Sequence, residues 1–108
     1  MIYFNFICKF PSIYLNLKIL KNAFKTEGFQ TLLNSELMFL FRKLNKSFDE
    51  YKSFIEQFLP YEEQDFQLLI LSIVDKLKSS KIIMIFDQYK DELFPNKNFI
   101  SELKSKLL

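Results

Sequence analysis

The chain has 108 residues, enough for one small domain with a single core and too few for two. Hydrophobic residues make up 49% and aromatic residues 18%, with 14 Phe, which excludes disorder as the whole answer. The 15 basic and 13 acidic residues are spread along the sequence for a net charge of +2, and Arg42 is the one arginine, so sequence-specific nucleic-acid recognition is not expected.

The first eight residues, "MIYFNFIC", are an apolar run without the preceding basic segment or following small-residue cleavage site of a signal peptide. With Lys9 they read either as a strand or as the end of a helix cut short by Pro11; a short apolar run does not decide between the two. Cys8 is the one cysteine and the sequence has no histidine, which removes intramolecular disulfides, most zinc sites, Cys-His catalysis and the Ser-His-Asp triad. An intracellular, cytoplasmic protein is expected. No stretch reaches the ~18 to 20 apolar residues of a transmembrane segment.

In "SIYLNLKIL", residues 12 to 20, Ile13, Leu15 and Leu17 alternate with Tyr14, Asn16 and Lys18, a period of two that predicts a strand with Asn16 and Lys18 at outward or edge positions. The single glycine, Gly28, excludes a glycine-rich phosphate loop, which needs several such residues. Beyond it Leu33, Leu37, Leu40, Phe41 and Leu44 recur at three and four, predicting a helix from Phe29 to Leu44.

"SFDE", Ser47 to Glu50, is a capping box, after which Phe48, Tyr51, Ile55 and Phe58 line one helical face and Pro60 stops the helix. The aromatic set Phe48, Tyr51, Phe54 and Phe58 is expected to be core or a partner-facing surface. Glu62, Glu63 and Asp65 can be read as a cation site or as an acidic cluster at a helix start, and the helix dipole favours the second. A third stripe, Phe66, Leu69, Ile70, Ile73, Val74 and Leu77, follows, with Lys76 and Lys78 near the negative end of its helix.

"KIIMIF", residues 81 to 86, is a continuous apolar run bounded by polar turns, as in a parallel strand buried on both faces. Asp87 ends it. Lys90-Asp91-Glu92-Leu93 matches an ER-retention address that is read only at a free C-terminus, and Phe94 onward follows it here. Asn98 is a candidate cap for a last helix carrying Phe99, Ile100, Leu103 and Leu107.

An acid at the carboxyl end of a buried strand is the Walker B pattern, in which the carboxylate holds Mg²⁺ through water. "YLNLKIL", followed roughly 65 residues later by "IIMIFDQYKDE", resembles the interior of STAND- or Crinkler-type P-loop ATPases. There the second strand carries Y-x-N-L-K and Walker B often reads D-Q-Y-K. The resemblance covers Ile13 to about Glu92 and implies Asp87 as the Mg²⁺-linked acid, Mg-ATP as the ligand, and residues 1 to 9 as the end of the helix after the P-loop.

Two departures bear on activity. The G-x-x-x-x-G-K-[ST] loop is missing, so nothing cradles the phosphates, and Gln88 stands where the superfamily often has a water-polarising glutamate. The expectation is an α/β fold in which residues 1 to 108 form a single incomplete domain, a partial P-loop NTPase-like layer. It would have two or three parallel strands, three to four flanking helices and no catalytic residue of its own. Such a layer associates with a protein partner or with itself through unpaired strand edges and Phe-rich helix faces. Three other readings use the same residues: a solvated turn after a core strand, which explains Asp87 without nucleotide; a small helix-rich interaction module; and a membrane-surface protein, which the acids on the polar helix faces disfavour.

Overall fold

The computed structural model describes residues 11–79, 82–87, 94 and 98–107, and among them a two-stranded parallel sheet and five α-helices make a mixed α/β arrangement. Strand β1 covers Ser12–Asn16 and α1 follows at once over Leu17–Ala23. Next come α2 (Glu27–Lys43), α3 (Phe48–Glu56), a 3-10 turn (Tyr61–Glu63) and α4 (Phe66–Leu77). Strand β2 (Ile83–Asp87) and α5 (Phe99–Leu107) complete the order. The expected strand or helix end over residues 1–9 and the polar run at 88–93 lie outside the described residues.

The strand expected over residues 12 to 20 ends at Asn16. The Asn16 side chain accepts from the Ile19 N–H at 3.0 Å, which starts a helix instead. Leu17 and Leu20, three apart, are buried, while Lys18 and Ile19 are exposed. Lys18 is therefore a helix-surface residue and not a strand edge. Helix α1 is the element that takes the helix count beyond the three to four expected.

Helix α2 buries Phe29, Leu33, Leu37, Leu40 and Phe41. It ends in a Schellman arrangement, with the Lys46 N–H donating to the Phe41 carbonyl at 2.9 Å and the Asn45 N–H to the Arg42 carbonyl at 3.0 Å. Asn45 takes the left-handed position, φ 58°, which Asn tolerates better than most side chains. Gly28 is not used for such a turn; it lies within α2.

The capping box at α3 forms as expected, Ser47 Oγ accepting from the Glu50 N–H at 3.1 Å and Glu50 Oε2 accepting from the Ser47 N–H at 2.9 Å. Tyr51, Ile55 and Phe58 turn inward, but Phe48 is 65% exposed. As the first residue of the helix it overhangs the rim, its ring 5.8 Å from that of Tyr51.

The third predicted stripe is α4, which also buries Gln67 and Leu71 and so is covered on more than one side. Asp65 caps it, Oδ1 accepting from the Leu68 N–H at 3.0 Å. Asp65 of the acidic cluster thus serves a helix start, while Glu62 and Glu63 lie in the preceding 3-10 turn. Helix α5 packs on α4 through Phe99, Ile100 and Leu103. Asp75 near the end of α4 accepts from Lys78 at 3.1 Å and Lys106 at 3.3 Å, and those ammonium groups hold its carboxyl below the usual range.

Rings tie the helices together. Phe29 lies 5.0 Å from Phe24 and 5.4 Å from Tyr61, both edge-on, Phe66 lies 5.4 Å from Phe24, and Phe94 bridges Phe66 to Phe99. Strand β2 is half-buried along its length rather than buried on both faces. The described sheet gives it one neighbouring strand, and Met84 and Phe86 pack against the core among the described residues.

Two consequences are measurable. Leu37→Ala, at a fully buried site, is expected to lower unfolding free energy by about 2–5 kcal/mol in urea titrations, while Phe48→Ala changes it by less than about 0.5 kcal/mol. Burial also pushes the Tyr61 phenol well above its ordinary value of 10.0 and raises that of Tyr51. Both hydroxyls donate to Asn34, Tyr61 to Oδ1 at 2.7 Å and Tyr51 to the carbonyl at 3.4 Å. Folding raises these values, so the associated stability is complete below pH ~10 and is lost as pH rises through them. The urea midpoint should fall above pH ~10, and less steeply in Tyr61→Phe.

Candidate functional site

The parallel register pairs Ser12 with Ile83, Tyr14 with Ile85 and Asn16 with Asp87. Side chains alternate along each strand, so Tyr14, Asn16, Ile85 and Asp87 share one face. Ile13, Leu15, Met84 and Phe86 occupy the other, against the core. Both strands run the same way, which makes Asn16 and Asp87 neighbours at the carboxyl ends. Ligands of open α/β sheets bind beyond such ends.

Across this face the Tyr14 hydroxyl donates to Asp87 Oδ2 at 2.6 Å, joining residues 73 apart in sequence. The two stretches that carry the family resemblance therefore meet through side chains as well as backbone. Tyr14 is 41% exposed. Its phenol is raised above its ordinary value, first by this bond to the Asp87 carboxylate and then by desolvation and by the Asp87 charge; Glu36 adds to the rise and Asn16 opposes it. Ser12, Ser35, Glu36, Phe39 and Lys43 line an open groove beside Tyr14, with Lys43 Nζ 4.5 Å from the centre of the Phe39 ring.

Asp87 is the sequence-predicted site residue, and the structure places it at the end of β2, half-buried. A single carboxylate there fits a cation held through water, since Mg²⁺ keeps several waters and uses one or two carboxylates together with phosphate oxygens. The Oδ1 of Asn16 is engaged in capping α1. No group of three or more potential ligand side chains lies together among the described residues, so an all-protein metal cage is not formed by them. Gln88 lies outside the described residues.

Tyr14, the first residue of the Y-x-N-L-K match, is a site residue to which sequence reasoning gave no role. Its place two residues before Asn16 puts it on the right face, but its partner follows only from the strand register. In comparisons with known proteins, no family model matches the chain, and neither a curated protein nor a solved structure does.

The Tyr14–Asp87 bond has a direct readout. In an alkaline titration followed by phenolate absorbance, Asp87→Asn should remove one late-ionising tyrosine, moving Tyr14 down toward 10.0. An unchanged titration would show that the carboxylate does not face the phenol.

Proposed function

We propose that the chain is a fragment or degenerate copy of an ATP-binding P-loop NTPase domain. It retains the Walker B-like strand β2, lacks the phosphate-binding loop and is not catalytic alone. The observation that carries this reading is the register that sets Asn16 beside Asp87 at the carboxyl ends of adjacent parallel strands. The pairing joins "YLNLKIL" to "IIMIFD", the two stretches on which the family resemblance rests. In that role Asp87 orients the water shell of Mg²⁺. The cation supplies charge neutralisation at the phosphate oxygens. Without a glycine-rich loop the β and γ phosphates lack their backbone cradle, which removes most of the affinity and all of the turnover.

A second reading, a helix-rich interaction module with no nucleotide role, draws on the exposed apolar side chains Leu32 and Phe39 of α2 and Phe48 of α3. Most other aromatic residues among those described are at least partly buried, so this reading rests on few side chains. No helix of the described residues is long and apolar enough to cross a membrane.

The expected result is no ATP turnover and weak Mg-ATP binding by calorimetry, abolished by Asp87→Ala. Binding that survives the substitution would remove the role assigned to Asp87, and the absence of nucleotide binding would leave the interaction module as the better reading. An in-frame glycine-rich G-x-x-x-x-G-K-[ST] encoded upstream of Met1 would favour the NTPase reading independently.

A further inference from the structure

We propose that Tyr14 is a positioning residue for the Asp87 carboxylate, holding it in the orientation from which it receives a divalent cation. This rests on the Mg²⁺-linked reading of Asp87. A carboxylate at the end of a strand can turn about its side-chain torsions, and an acid that must meet a hydrated cation gains from being held in one of those orientations beforehand. Groups that hydrogen-bond to a metal-ligating carboxylate do this, and their removal lowers metal affinity about 10- to 100-fold.

Tyr14 meets the requirement. Its hydroxyl donates to Oδ2 at 2.6 Å, within the range of a charge-assisted O–H···O⁻ bond. The anchoring Cα is fixed by the sheet, because Tyr14 pairs with Ile85 two register steps before Asn16 and Ile13 and Leu15 on either side of it are buried. The phenol ring is rigid and long enough to cross from β1 to the end of β2. Asn16, the nearer residue in register, is committed to capping α1 through its Oδ1. The chain thus divides the labour of one strand end: Asn16 turns the backbone into α1, and Tyr14 orients the acid on the next strand.

The test uses Mn²⁺ with ATP as the probe, its binding followed by the electron paramagnetic resonance of the free ion, on the unaltered chain, Tyr14→Phe and Asp87→Ala. Urea unfolding midpoints are measured alongside. Tyr14→Phe should weaken Mn²⁺-ATP binding about 10- to 100-fold with an unchanged urea midpoint, and Asp87→Ala should abolish it. In the unaltered chain the tyrosine ultraviolet band should shift with the same Kd as Mn²⁺-ATP binding, a signature missing from Tyr14→Phe.

If Tyr14→Phe binds as the unaltered chain does while Asp87→Ala loses binding, the positioning role falls and the Asp87 reading stands. Tighter binding by Tyr14→Phe would make the phenol a competitor of the cation and also overturns the proposal. A lowered urea midpoint accompanying the loss would make Tyr14 merely structural. Equal behaviour of the unaltered chain and Asp87→Ala, whether binding or not, overturns both readings.

Discussion

Two parallel strands cannot be joined by a tight turn, and the pairing of β1 with β2 therefore makes everything from residue 17 to residue 82 a crossover. Closing so long a connection costs chain entropy, and a five-residue parallel ladder does not offset that cost by itself. The offset lies in the crossover, where α2 and α4 bury Leu33, Leu37, Leu40, Leu69, Ile70, Ile73 and Val74 completely. The ladder and the helical core thus depend on each other. The helices bring the strands together, and β1 gives α2 a surface against which it packs while α1 rests on both strands.

The candidate site is a by-product of the same constraint. A one-residue slip in register would send Tyr14 and Asp87 to opposite faces. The buried pair Ile13 and Leu15 prevents that slip, because their side chains belong to the apolar face. Core packing on one side of β1 therefore fixes a phenol–carboxylate bond on the other. The electrostatic result is local: the carboxylate makes the Tyr14 proton harder to remove, and the phenol gives the carboxylate one defined orientation.

The aromatic content has a mechanical use. Phe24, Phe29, Tyr61, Phe66, Phe94 and Phe99 form a line of ring contacts from the α1–α2 turn to α5, so segments without backbone pairing are joined through side chains. Asn45 shows the same economy at a turn, taking the left-handed backbone position in a sequence with a single glycine.

Local periodicity was enough to locate α2, α3, α4 and α5, because each carries apolar residues at three and four, and the Ser47–Glu50 box, which acts within a few residues, marks the start of α3. It failed at Leu17, where alternation and helical spacing coincide and the Asn16 cap decides, and at Phe48, where a helical face runs past the edge of the core. It also overstated the burial of β2, since a run of apolar residues records what a strand can bury and not how many neighbours it has. The sequence by itself determined most of the core, the helices α2 to α5 and the presence of an acid after an apolar strand, all of which depend on neighbours within a few residues. Only the tertiary structure decided that Asp87 lies beside Asn16 and is held by Tyr14, because strand register depends on pairings between distant residues, and the Tyr14–Asp87 bond joins residues 73 apart, which no local pattern encodes.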